Sequence, residues 1–498
     1  MNYVASAGLS RWCPLSIAAL NRTMATGMAA VRWIDAVLKR TVARPWLVGA
    51  LATGAAAAAF SWMAGAIAAA TLAAVSLLAR APYWGLVLFA VCLPVEFYIP
   101  VTPGIDVTSH EALLALTWCA WFVQQARFGG RLRHPGAWIA AAPFVLAIAA
   151  SAVGTGRPVE FAHGSLRWLL PVAAALLAIE VLPGERELRR VMHGVLISAV
   201  ALSILGVAQW ALGRGNLGLV LTDTGAGASN LMFGAHVRAH GTFFHANHFA
   251  AYLILAAGCL IGLLQQANKT LLKIGYASLL AVIALAIGAS FSRGGWIAFA
   301  IAAAIAAAVS PNRRRLFRLI LVFVLAGSIL LSLKPEPAAG FLQRFNSLGA
   351  LSRDDTVRER YRIIRAGWLL FRQAPATGIG PGAYREEASR LGFIGMPALG
   401  MTTHVHCLYL QLLIEAGIAG AVGLAVALAA GWWRIALGLR RRADAAKRQL
   451  LAGLCFSICG YLIHNLVDVF LYRGLHAMAG LLFGAALALA LPLMPDKQ

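Results

Sequence analysis

Residues 403–420 read THVHCLYLQLLIEAGIAG, and they open an apolar run over 406–432. A run this long and this apolar crosses a membrane as a helix, which needs about twenty residues at 1.5 Å rise each. The sequence before it is of another kind. Residues 354–365 read DDTVRERYRIIR and residues 371–384 read FRQAPATGIGPGAY, so arginines and glycines fill a polar interruption from Lys334 to Val405. Loops of that length are usually functional or disordered. The aromatic and aliphatic residues near its end argue for order.

Outward from this stretch the chain is apolar almost throughout. Of 498 residues 60% are hydrophobic and 12% charged, against roughly a quarter charged in soluble domains. That excludes a soluble globular protein. Forty-two Lys and Arg against nineteen Asp and Glu give a net charge of +23, which in a soluble chain would suggest nucleic acid. Here the cations sit in short loops between apolar runs, a membrane-topology pattern with no free basic domain for a polynucleotide. The seven cysteines show no CxxC or Cys/His ligand spacing, and all but Cys407 read as small apolar packing residues.

The fold class expected is an all-α polytopic membrane protein of about 12–14 transmembrane helices with one large periplasmic loop. Spans are expected at 46–62, 63–79, 83–100, 111–126, 137–153, 165–182, 191–212, 247–265, 274–290, 295–309, 319–333, 406–432, 449–470 and 476–492. Residues 1–45 read as a basic cytoplasmic tail, 46–333 as the N-terminal and central bundle, 334–405 as the periplasmic loop domain and 406–498 as the C-terminal helices. Alternate loops, 127–133, 185–190, 269–273, 313–318 and 434–448, hold 18 Lys or Arg. The positive-inside rule puts them all in the cytoplasm, and the unusual polar residues on the opposite face.

Each polar motif on that face admits two readings. Ser292-Arg293-Gly294 is either a hairpin whose arginine reaches lipid phosphate, or an anion site beside glycines that let backbone approach a ligand. Arg358, Arg362, Arg365 and Arg372 form one helical stripe, with Arg360 on another face. Such arginines are a solvated or headgroup face, or they grip a diphosphate through planar guanidinium groups. His404 and His406 stand where a helix begins, and the partial positive charge of a helix N-terminus attracts anions. His406 is then a proton acceptor near bound phosphate and His404 a supporting residue. No Asp or Glu is interleaved in this motif at ligand spacing, so no metal is expected. In RAHGTFFHANHF, residues 238–249, the supporting candidates His245, Asn247 and His248 either cap the next span or line a carbohydrate-sized cleft. Asp468, at the mouth of a span, is a functional candidate unless it merely pairs with Arg473.

The order and spacing of the SRG turn, the arginine-rich loop helix, FRQAPATGIGPGAY and THVHCLYLQLLIEAGIAG resemble the O-antigen ligase and polymerase superfamily of bacterial envelope glycosyltransferases, over roughly residues 240–470. The resemblance implies a GT-C-like enzyme of the inner membrane. It would take a glycan from an undecaprenyl-pyrophosphate donor at the periplasmic face, with no cofactor, metal or nucleotide sugar. It implies that Arg293 is one pyrophosphate-binding arginine, that Arg358 or Arg360 is the second, that His406 is the catalytic histidine and that Asp468 is its polar partner. The family usually has Asn after the histidine; here Cys407 stands there, which leaves open what orients the imidazole.

The acceptor is either another glycan, making the protein a polymerase, or lipid A core, making it an O-antigen ligase. A histidine-lined outer cleft for a second glycan chain tilts the expectation to polymerase. The competing classes are a transporter of lipid-linked glycan, for which internal repeats and broken helices are expected, and a scaffold, which would not need arginine, histidine and aspartate on one face.

Overall fold

A computed structural model describes residues 62–95, 98–102, 105–152, 157–215, 232–233, 236–310, 313–314, 355–391, 404–440, 445–471 and 473–491. The basic tail, the first expected span, the span expected at 319–333, and loop residues 334–354 and 392–403 lie outside them. The chain divides into two compact units, Met1–Leu77 and Leu78–Gln498. Helix α1 (Trp62–Leu78) is what is described of the first.

The second unit is an all-α bundle. Its helices are α2 (Tyr83–Cys92), α3 (Ser109–Phe128), α4 (Pro135–Ala150), α5 (Pro158–Val181), α6 (Glu185–Leu212), α7 (Ala246–Gln266), α8 (Thr270–Ala289), α9 (Arg293–Val309), α10 (Asp355–Gln373), α11 (Tyr384–Arg390), α12 (Leu408–Arg440), α13 (Ala445–His464) and α14 (Arg473–Ala490). Among the described residues α5, α6, α7, α8 and α12 are long and apolar enough to cross a membrane by themselves, and α4 and α9 are shorter apolar helices. The protein is a multi-pass membrane protein. Two short antiparallel hairpins sit on the bundle: β1 (Tyr98–Thr102) with β2 (Ile105–Thr108), and β3 (Met232–Phe233) with β4 (His236–Val237).

Most expected spans fall on helices, with two corrections. The span at 83–100 is a ten-residue helix followed by a strand, because Pro94 stands directly after the C-cap residue Leu93 and cannot continue the helix. The span at 449–470 ends at His464, so Asp468 lies in the turn beyond it.

Helix α7 is the centre of the bundle, with 18 of its 21 residues buried. A helix apolar on every face is stable only when surrounded by protein or lipid. Glycines set how closely its neighbours approach. A Cβ on Gly258 of α7 would stand 2.4 Å from the carbonyl oxygen of Gly453 on α13, and the Ser457 hydroxyl donates to the Leu255 carbonyl across the same seam at 2.7 Å. The α5–α14 pair repeats the device, since Cβ atoms on Gly480 and Gly484 would meet the Pro171 and Ala175 carbonyl oxygens at 2.0 and 2.1 Å. Small residues one turn apart are how helices pack in lipid, where tails compete equally for apolar side chains.

The polar loop is built into this frame. In α10 the face carrying Ile363, Ala366 and Leu370 is buried, and Ile363 and Leu370 join Tyr384, Ala388, Val405 and Ile414 in a small core. Residues 375–380 then dock against a break in α12, where Gly417 has φ 63° and ψ −167°. The Ile379 and Gly380 amides donate to the Ile414 and Glu415 carbonyls at 2.9 and 3.0 Å, while the Ile418 and Ala419 amides donate to Pro375 and Ala376 at 2.9 and 3.1 Å. Irregular backbone at membrane depth is tolerated where protein satisfies its polar groups, as here.

Replacing Gly258 with Ile should destabilise the α7–α13 seam by roughly 1–3 kcal/mol through overpacking. Gly275 on α8, whose Cβ would meet nothing within 4 Å, serves as the control. Melting in detergent should fall for Gly258→Ile and not for Gly275→Ala; equal melts would refute the close approach.

Candidate functional site

The turn at residues 464–468 gathers three helix beginnings. From α12, the His406 Nδ1 lies 3.1 Å from Asp468 Oδ1. From α7, the Asn247 side-chain amide donates to Asp468 Oδ2 at 2.6 Å. From α9, the Ser292 hydroxyl caps the helix by accepting from the Gly295 amide and lies 3.3 Å from His464 Nε2. The turn is itself tied down, because the Leu408 amide donates to the Asn465 carbonyl and the Phe470 amide to the Asn465 side chain, at 3.0 and 3.1 Å.

Asp468 is 4% exposed, and the Val469 amide supplies a further donor to its Oδ1 at 2.9 Å. Burial alone pushes its carboxyl up, but the neighbouring His404 and His406 imidazoles outweigh it and hold the group well below the usual carboxylate range. An ionised Asp468 accepts the Nδ1 proton of His406, so in the neutral imidazole the lone pair is on Nε2. The contact with Asp468 thus gives the imidazole an orienting partner other than residue 407. The backbone of His406 has φ 54°, the left-handed region that side-chain-bearing residues avoid and that recurs at functional sites. Phe291, just before Ser292, has φ 50°.

Arg293 is the first residue of α9 and is half-buried. Its turn rests on the 464–468 turn: a Cβ on Gly294 would meet His464 and Val467 at 3.0 and 2.7 Å. The SRG motif is thus packed into protein rather than forming a hairpin in lipid. Of the loop arginines, Arg362, Arg365 and Arg372 are exposed, whereas Arg360 is partly buried and lies within electrostatic range of His464. Arg358 is in the same helix, and its side chain lies outside the described residues.

Arg238 was not singled out by the sequence, yet it joins two arms of the site. Its Nη2 donates to Asn247 Oδ1 at 3.0 Å and its Nε to the Ser290 carbonyl at 2.8 Å, so one guanidinium fixes the start of α7 against the SRG turn. The available signal was an arginine nine residues before Asn247 in a glycine-containing segment. The sequence left Asn247 either as part of the cap of this helix or as the lining of a cleft. The cap is His245, whose Nδ1 accepts from the Asn247 amide at 3.1 Å, freeing the Asn247 side chain for Asp468. Burial drives the His245 pKa down to about 3, so it stays neutral in that role. The His248 ring lies edge-on to Phe470 at 5.5 Å, and the buried His240 is bonded to the Phe243 and Gly215 carbonyls. These contacts place the three histidines at the start of α7.

His404, His406 and Asp468 bring one ligand atom each within 4.8 Å of one another, a grouping that can hold a metal ion. Spacing within the histidine motif does not reveal it, because the carboxylate comes from 62 residues further on. Both Asp468 oxygens already accept hydrogen bonds, from Asn247, His406 and Val469, so a cation would compete with the His406 contact.

A carboxyl with a depressed folded-state pKa gives stability that is present above its unfolded value near 3.9 and lost as pH falls through the folded value. Asp468→Asn should therefore melt lower than the wild type by an amount that is constant from pH 5 to 8. A difference that disappears by pH 5 would show that the carboxyl is not held low.

Residues 278–425 match the family model for O-antigen ligase. That segment includes Arg293, Arg358, Arg360, His404 and His406, and it stops before Asp468. No curated protein matches the chain. Over that segment the chain, a multi-pass membrane protein, is similar to the O-antigen ligase family, a likeness that supports a role in surface polysaccharide assembly.

Proposed function

We propose that the protein is a metal-independent glycosyltransferase that moves a glycan from an undecaprenyl-pyrophosphate carrier to an acceptor sugar hydroxyl, at the periplasmic face of the inner membrane. The observation that carries this reading is the His406 imidazole held by Asp468 beside the SRG helix start. The acceptor oxygen attacks the anomeric carbon as the bond from that carbon to the phosphate oxygen breaks. His406 Nε2 takes the hydroxyl proton. The charge left on the carrier pyrophosphate is met by Arg293 and by Arg360 or Arg358, because donors fixed before the reaction stabilise a developing anion without reorganising. A single displacement of this kind inverts the anomeric centre. His404, beside Asp468 and edge-on to His406 with ring centroids 4.8 Å apart, supports the pair.

Polymerisation of repeat units and ligation onto lipid A core share this chemistry. A histidine-bearing outer segment that could bind a second glycan chain leans the reading slightly to the first. The glycan profile of a deletion strain separates them. Single repeats on the acceptor mean a polymerase; full-length chains left on the carrier mean a ligase. A transporter of lipid-linked glycan needs no oriented base, so unimpaired export by His406→Ala would favour it.

In purified protein, His406→Ala should lower transfer by about 10²–10⁴, the usual contribution of a general base. Asp468→Asn should lower kcat more than it changes the donor KM. Arg293→Lys keeps the charge but loses the planar fork, and should raise the donor KM. Full activity in His406→Ala would end the reading. EDTA should leave transfer unchanged; a loss restored by a divalent cation would instead give the His404, His406 and Asp468 group to a metal.

A further inference from the structure

A cavity of about 540 Å³ runs between the α4–α12 pair and the α5–α14 pair. Its walls are mostly apolar, with Ala140, Phe144, Val172, Leu424, Leu428 and Phe483 among them. The volume falls within the ~300–1,000 Å³ typical of small-molecule sites. One end comes up to Trp168, Leu408 and Tyr409; the other opens between Arg133, just before α4, and Arg434, near the end of α12. Both arginines are exposed, and both belong to basic loops that the positive-inside rule puts in the cytoplasm.

The charged end is prepared for an anion. Glu180, the acid nearby, is already engaged: it accepts from the Arg133 backbone amide at 2.9 Å and from the Trp138 indole at 3.0 Å. Both arginine side chains stay exposed at this mouth and outnumber that one acid. His134 beside them is held below its ordinary pKa by burial, with Glu180 opposing and Arg133 and Arg434 adding to the fall.

We propose that this cavity holds one anionic phospholipid of the cytoplasmic leaflet, with its phosphate on Arg133 and Arg434 and an acyl chain rising between the helix pairs. The apolar walls alone would accept any lipid tail. It is the guanidinium pair at one mouth that selects a negatively charged headgroup. The arginine mouth lies at the opposite end of the cavity from Leu408 and Tyr409, the residues near His406, and the headgroup contact does not depend on the reaction proposed for His406.

Native mass spectrometry of the intact protein in detergent tests this, with palmitoyl-oleoyl phosphatidylglycerol and phosphatidylethanolamine titrated separately. One phosphatidylglycerol should bind in preference to phosphatidylethanolamine. The Arg133→Gln/Arg434→Gln double variant should weaken it by about tenfold, as expected for removing basic side chains at an anionic headgroup. Ala427→Trp, which fills the cavity from α12, should abolish binding at an unchanged melting temperature. Equal binding of the two phospholipids, or binding indifferent to the arginine pair, would overturn the proposal. So would a polyprenyl phosphate that occupies the cavity whether or not the arginines are present, since that would make it the path of a carrier tail.

Discussion

The functional end of this bundle depends on a buried carboxylate that has its hydrogen bonds filled. Taking a charge out of water is costly unless it is paired and hydrogen-bonded, and Asp468 meets that condition only with Asn247, His406 and Val469 in place. Asn247 precedes it by 221 residues and His406 by 62. One side chain therefore fixes the start of the central helix α7 and the start of α12 against the turn that follows α13. Arg238 extends the constraint to the SRG turn through Asn247 and the Ser290 carbonyl.

The frame that makes this arrangement possible is legible in the sequence, because length and apolarity alone locate helices in a membrane protein. The beginnings of α4, α7, α8, α9 and α12 fall within a few residues of the expected spans. The ends are less legible. Nothing in the hydropathy of residues 83–100 announces that Pro94 stops α2 and that a hairpin follows, and apolar residues past His464 hide the turn that carries Asp468. Residue types at the site were legible for His406 and Arg293, whose motifs are local. The role of Asn247 was not, since capping is a local property while its bond to Asp468 is made across the bundle. Arg238 was missed for the same reason.

Rigidity around His406 comes from the loop as much as from the helices. The Val405 amide donates to the Gln411 side chain, which donates in turn to Glu415, and Glu415 also accepts from Trp168 on α5. The same turn of α12 takes the 375–380 segment into its break at Gly417. A left-handed histidine persists only where its surroundings over-determine it, and here the chain is held on both sides of residue 406: at Val405 by Gln411, and at Leu408 by Asn465. The break in α12 thus has a purpose beyond ending a straight helix. It lets the polar loop anchor inside the bundle and hold the residues that precede the helix.

The electrostatics of the site follow from the same geometry. Helices α7, α9 and α12 all present their N-termini to residues 464–468, each with unpaired amides equivalent to roughly half a positive charge. Ser292 and His245 satisfy one amide apiece, and Asp468 offsets part of the remainder. Arg293 at the head of α9 and Arg360 within range of His464 add full positive charges to the same region. A single internal carboxylate cannot balance that sum, so the region retains a positive field directed at the helix starts. A group with two adjacent phosphates matches such a field better than a lone carboxylate or a neutral sugar does. In the function proposed above, the sugar is then left to the His406 imidazole, whose Nδ1 is taken up by Asp468.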